Sequence, residues 1–197
     1  MSLAARLTAR ARQVLVVPEA VLKQGMSEFI AAAIAAVLSN LGSLLFAIGV
    51  TVAYVRIRRN PQLSGWDAID IYWREVTFWA IGLAFLYYGL LHAFFQEASS
   101  RYIGWQPSPF EFELGFAEIG IGVAAILSRT RTYDMRLAVT IIFGIFSLGA
   151  AAQHIYYIAC CGNMSPGNAG VILWFGDIIL PLILFYLAWM ARPAARV

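Results

Sequence analysis

The sequence predicts an all-α integral membrane protein with five transmembrane helices, the last four forming a pseudo-duplicated four-helix bundle and the first an extra N-terminal span. Composition carries the first part of that prediction: of 197 residues, 61% are hydrophobic and 13% charged, with a mean hydropathy of +0.73. Soluble domains run at roughly 45–50% apolar and 25% charged residues. Five apolar runs of spanning length carry the second part, and a correspondence between the two halves of the chain carries the third.

A bilayer-spanning helix needs about 20 apolar residues, because the hydrocarbon is about 30 Å thick and a helix rises about 1.5 Å per residue. Residues 1–27 precede the first run and mix Leu3, Leu7, Val14, Leu15, Val21 and Leu22 with four basic residues, the pattern of an amphipathic helix lying in the membrane interface. The first span, placed at 28–56, contains Phe29–Val55 without a formal charge. Val76–Gln96 is interrupted only by His92. Phe110–Ser128 is the most polar of the five, with Glu111, Glu113 and Glu118. Leu137–Gly162 contains His154, and Ala169–Ala191 contains Asp177. Barrel strands alternate apolar and polar positions; these runs are apolar on every face, so each must satisfy its own backbone as a helix. Pro181 removes one amide donor from the last span and predicts a kink rather than a break. The linkers Arg56–Glu75, Glu97–Pro109, Arg129–Arg136 and Asn163–Asn168 are short, which confines function to the bundle and its rims.

Orientation follows the arginines. One side holds nine basic residues (Arg56, Arg58, Arg59, Arg74, Arg129, Arg131, Arg136, Arg192, Arg196) and the other five (Arg6, Arg10, Arg12, Lys23, Arg101). The positive-inside rule puts the first side in the cytoplasm of a bacterial inner membrane, with the N-terminus outside and the C-terminus inside. The basic N-terminal segment pulls the other way. The first apolar run is too long for a signal-peptide core, and scattered basic residues at a net charge of +3 give a nucleic-acid partner no support. The arginine-bearing loops read as topology determinants and nothing more. Cys160 and Cys161 have no metal-type spacing and read as two interfacial thiols, with a vicinal disulfide or redox pair as the alternative.

The two halves, 70–129 and 135–192, resemble each other. Gly82, Leu86, His92, Phe94 and Phe95 align without gaps onto Gly144, Leu148, His154, Tyr156 and Tyr157. Phe116-Ala117-Glu118-Ile119 matches Phe175-Gly176-Asp177-Ile178, and Pro107 and Pro166 each stand eleven residues before the acid. This is the pattern of a parallel repeat of helical hairpins. The first span, with Ala32, Ala36, Ser39, Ser43 and Gly49, would pack outside them through its small residues.

The informative residues are those that bilayer energetics disfavours. Glu118 and Asp177 are the acids well inside the spans, and both histidines, His92 and His154, are intramembrane. Counted along their helices, all four lie about 8–12 Å below the outer surface. Gln96, Glu97, Arg101, Tyr102, Trp105, Glu111, Glu113, Gln153, Asn163 and Asn168 line the same rim. Glu111 stands seven residues before Glu118 and extends a polar track to the layer. Tyr88 and Gln96 flank His92 at i−4 and i+4 as candidates to orient its ring. The candidate ligand-binding set is therefore His92, Glu118, His154, Asp177, Glu111, Arg101, Gln153, Tyr88 and Gln96. Two histidines and two carboxylates suit one zinc, iron or manganese ion; a bis-histidine haem, a proton or solute pathway and a purely stabilising network compete with that reading. No nucleophile–base set stands out, and no serine is tied to a histidine as in a hydrolytic triad; whether the protein is an enzyme stays open.

Gly89-x-x-His92, then Pro107-x-Pro-Phe-Glu111, then Gly115-Phe-Ala-Glu118-Ile-Gly-Ile-Gly122 is similar to the DoxX-like group of small bacterial four-helix membrane proteins and to related membrane families of unknown function. The resemblance covers roughly residues 76–191 and implies a bundle-facing role for Glu118 and a redox-linked accessory function. The extra span and the histidines depart from that pattern. The expected function is an outward-facing intramembrane pocket binding a small molecule or metal ion. A small transporter or proton-coupled channel, and a structural subunit working with another membrane protein or a second copy, are the alternatives.

Overall fold

The computed structural model describes residues 19–192, with side chains from Met26 onward. Residues 1–18 of the expected interfacial segment over 1–27, and the terminal Arg196, lie outside the described residues. Seven helices and no strand occur among the described residues: α1 (Glu19–Ser39), α2 (Leu41–Arg58), α3 (Gly65–Phe94), α4 (Gln96–Ile103), α5 (Phe110–Ser128), α6 (Tyr133–Cys161) and α7 (Pro166–Met190). They fall into two units, divided between Ser39 and Asn40.

The apolar run expected as one first span is divided at Asn40, whose backbone (φ −112°, ψ 14°) leaves helical geometry between α1 and α2. Asparagine offers the backbone local hydrogen-bonding alternatives to the helix. Four helices, α2, α3, α6 and α7, are long and apolar enough to cross a membrane, whereas Met26–Ser39 is a shorter apolar helix. At 19 residues with three glutamates, α5 falls outside that set.

The α3 helix begins inside the segment read as a linker. Ser64 accepts from the Asp67 amide while the Asp67 side chain takes the Ser64 amide, a capping box that starts the helix at Gly65. Within it, Thr77–Leu83 widens into π geometry. At Phe95 (φ −130°, ψ 42°) the chain breaks, and the supposed loop that follows contains α4.

In the second unit α3 and α5 meet backbone to backbone. A Cβ added at Gly115 would lie 2.5 Å from the Ala93 amide nitrogen and 2.7 Å from the Gly89 carbonyl oxygen; one at Gly122 would lie 2.9 Å from the Gly82 carbonyl oxygen. Glycines seven residues apart on each helix thus let two backbones meet, running antiparallel. On the other side of α3, Gly42 and Gly49 of α2 meet Tyr88 and the Glu75 carbonyl. The core joins Trp73, Ile81 and Phe85 of α3 to Val139 and Phe143 of α6 and Leu184 of α7. Phe85 stands edge-on to Phe143 and Phe146 at ring distances of 5.1 and 5.6 Å.

One end of this unit overturns the reading of its arginines as topology determinants. Glu75 is fully buried between Arg56 (3.0 Å) and Arg129 (2.9 Å). Asp70 pairs with Arg136 (2.7 Å) and Arg74 (2.6 Å). Arg136, itself only 1% exposed, lies over the Trp73 ring, whose Nε1 donates to Thr140 Oγ1. In an apolar surround an unpaired carboxylate is costly, so these cations do more than set orientation: they neutralise acids on α3. At the opposite end of α6 the cysteines, expected as thiols, are joined as a vicinal disulfide.

Candidate functional site

Three helices bring their buried faces to the end opposite the arginines. On α5 the buried row is Glu111, Gly115, Glu118, Gly122 and Ala125, the alternating four-three spacing of a helix seam. The glycines of that row bring α5 against α3 and hold the two glutamates inside the unit. On α6 a row of Thr140, Ser147 and His154, seven residues apart, is buried as well. Asp177 sits within the π segment Ile172–Ile179 of α7, where the Leu180 amide reaches back five residues to the Phe175 carbonyl. Pro181 withholds the amide that would bond the Asp177 carbonyl in an α-helix, and the chain answers with π geometry rather than a break.

Each histidine meets its own acid. His92 Nδ1 lies 3.0 Å from Ser99 Oγ and 3.7 Å from Glu111 Oε2, and the Ser100 hydroxyl donates to Glu111 Oε1. His154 Nδ1 lies 2.9 Å from Asn168 Oδ1. The Asn168 amide donates to the carbonyls of His154 and Asn163, at 3.2 and 2.9 Å, so its oxygen faces the ring and Nδ1 carries the proton. Trp105 Nε1 donates to that same oxygen at 3.1 Å, and the indole stacks on the imidazole at 5.1 Å. This leaves His154 Nε2 facing Asp177 Oδ2 at 3.8 Å, beyond hydrogen-bond length.

Beneath the histidines lie the carboxylates. Glu118 and Asp177 are 6% and 8% exposed and stand within electrostatic range of each other. Glu111 Oε2, Glu118 Oε2 and Asp177 Oδ2 are buried without a hydrogen-bond partner. Tyr88 does not orient His92; its hydroxyl accepts from the Gly42 amide at 3.1 Å, near both lower carboxylates. Gln96 is half-buried, and the hydroxyl that meets His92 comes from Ser99 instead. Arg101 is exposed and pairs with Glu97 one turn away, outside the layer. Gln153 is exposed on a surface cleft of about 560 Å³ that it shares with Trp105, Tyr157 and Cys161.

The single-metal reading gains no support from this arrangement. Among the described residues no three His, Cys, Asp or Glu side chains gather as a metal set. The expected four-ligand layer resolves into a His92–Glu111 pair, a His154–Asp177 pair and Glu118. A bis-histidine haem likewise gains no support, because His154 Nε2 faces Asp177 and His92 Nδ1 faces Ser99 and Glu111. Sequence reasoning placed Trp105 and Asn168 on the rim without seeing that they lock His154, and it missed Ser99 and Ser100. The only signal for the serines was their spacing of seven and eight residues from His92, which becomes meaningful once Phe95 turns the chain back.

Neither curated proteins nor solved structures yield a match to the chain. The DoxX-like resemblance is not supported, since the family that matches is a different one. Residues 39–196 match the model of DUF6790, a family of unknown function, and the chain belongs to that family.

Proposed function

We propose that this is a five-span protein of a bacterial inner membrane whose carboxylate layer captures a small molecule bearing N–H or O–H donors. The observation that carries the reading is the trio of buried acceptors Glu111 Oε2, Glu118 Oε2 and Asp177 Oδ2, which accept no hydrogen bond within the protein, the first and last facing a histidine nitrogen only at 3.7 and 3.8 Å. An unsatisfied buried polar group costs about 1–3 kcal/mol, and more when charged. A ligand that donates to these oxygens recovers that energy on binding. Counting α5 as the fifth span is supported by its register against α3, where contacts run from Gly82 beside Ile126 to Ala93 beside Gly115. The arginine excess at the far end supports a cytoplasmic position for that end, and hence an outward-facing layer.

A transport path has a specific obstacle. The Phe85, Phe143 and Phe146 rings fill the interior between the carboxylates and the arginine-paired end. A pocket open to one side fits this packing better than a conduit. The stabilising-network reading has its own observation, and it applies to the rim: Asn168 ties His154, Asn163 and Trp105 together with both polar ends of its amide matched. In this division the Asn168 cluster builds the wall and the acids beneath it bind.

Thermal unfolding of the purified chain in lipid nanodiscs tests the proposal. Methylammonium is expected to raise the unfolding midpoint, and tetramethylammonium, with the same charge but no donor, is not. The shift disappears in a Glu118→Gln/Asp177→Asn double variant. Equal effects of the two ions, or a shift that survives in the double variant, would overturn the reading.

A further inference from the structure

The chain's only two cysteines, Cys160 and Cys161, are bonded to each other at the exposed C-terminal end of α6. Little in this disulfide serves stability. It joins adjacent residues, so it links no two elements and closes the shortest possible loop, where chain-entropy stabilisation is smallest. The helix end it occupies is already held. Gly162 adopts a left-handed φ of 64° and its amide bonds the Ile158 carbonyl at 3.0 Å, while the Asn163 amide bonds the Tyr157 carbonyl at 3.1 Å. That is a complete glycine C-cap without any help from sulfur. Exposed disulfides of this kind belong to the labile class that exchanges with thiols. Cys161 also faces the cleft of about 560 Å³ that contains Gln153, Tyr157 and Asn163, so one sulfur is presented to a space large enough for a small molecule.

We infer that Cys160–Cys161 is a thiol–disulfide exchange centre whose substrate is a dithiol entering this cleft. The first thiolate of the dithiol attacks Cys161 Sγ; a new sulfur–sulfur bond forms, the Cys160–Cys161 bond breaks, and its electron pair leaves on Cys160 Sγ, which takes a proton. The second thiolate of the substrate then attacks its own sulfur in the mixed disulfide and expels Cys161 as a thiol. Two electrons and two protons pass from the dithiol to the protein, and the dithiol leaves as a cyclic or intramolecular disulfide. The reverse reaction with a disulfide substrate restores the bonded pair. The site is separate from the carboxylate layer and stands whether or not that layer binds a ligand. In the outward orientation proposed above it lies in an oxidising compartment, where a disulfide persists between turnovers.

The test uses the full chain in nanodiscs, poised in mixtures of dithiothreitol and its cyclic disulfide, with maleimide labelling and intact mass as readouts. The isolated protein is expected to take no label, to gain the mass of two hydrogens and two labels together on reduction, and to return when the cyclic disulfide is in excess. With a monothiol disulfide as probe, Cys160→Ser should trap a mixed adduct at Cys161 about tenfold faster than Cys161→Ser traps one at Cys160, the difference expected from access. A Cys-x-x-Cys protein run beside dithiothreitol separates a protein donor from a small one. Cysteines that take label before reduction, a bond that dithiothreitol leaves intact in the folded protein, or equal trapping at the two positions would each overturn the inference.

Discussion

Glu75 lies fully buried between Arg56 and Arg129, and Asp70 is shared by Arg74 and Arg136. At the far end of the same helix, about 25 Å away by helical rise from Glu75 to His92, three buried carboxylates meet two histidines and none of these arginines. Both ends carry acids in an apolar surround, yet only one matches them with permanent cations. The difference separates a lock from a site. Arginine stays charged at any physiological pH and satisfies carboxylates in a fixed fork, so the acids of the first end are already matched. Acceptors left open at the second end are tolerated where something else completes them, as functional sites sacrifice stability to hold polar groups ready.

Substitutions at the two ends should therefore differ in sign as well as size. The largest effect is expected from Glu75→Ala, which strands two arginines and should destabilise the folded protein by about 3–5 kcal/mol in reversible unfolding from detergent; a loss under 1 kcal/mol would show that this end is no lock. Gly115→Ala comes next, because its Cβ meets backbone rather than a movable side chain. Overpacking there should cost about 1–3 kcal/mol and push α5, with both glutamates, away from α3; a disulfide-trapping pair across the two helices reads out that separation. Glu118→Gln should be neutral or raise stability by up to about 1 kcal/mol while abolishing methylammonium binding. A clear loss of stability would move Glu118 from the site to the lock. Arg101→Ala, on an exposed i,i+4 pair, should stay within about 0.5 kcal/mol and leave binding unchanged; a binding defect would return Arg101 to the site.

Much of the second end was legible in the sequence, because a titratable residue inside an apolar run is conspicuous. His92, Glu118, His154 and Asp177 stand out by depth alone, and Glu111 by its seven-residue spacing from Glu118. The first end was not legible. Glu75, Asp70 and Arg136 sit beside short loops, where charge is ordinary, and nothing in their spacing says that the Ser64 cap starts the helix early enough to bury them. Arg101 and Glu111 looked equivalent as rim charges, yet one faces out with Glu97 and the other faces in with Ser100. Helix phase decides between them, and that phase depends on the break at Phe95.

Composition and apolar run length by themselves determined that the chain is helical and suited to a bilayer, since hydrophobic content and backbone satisfaction in lipid leave few other solutions. Depth along a helix, a count of residues times a fixed rise, likewise assigned four ionisable groups to the same end of the bundle. Pairing was decided only by the tertiary structure. Which acid meets which histidine depends on helix rotation, on the backbone contact that Gly89 and Gly115 permit, and on the π register that turns Asp177 inward. These are contacts between residues distant in sequence, and a one-dimensional pattern carries depth but not azimuth.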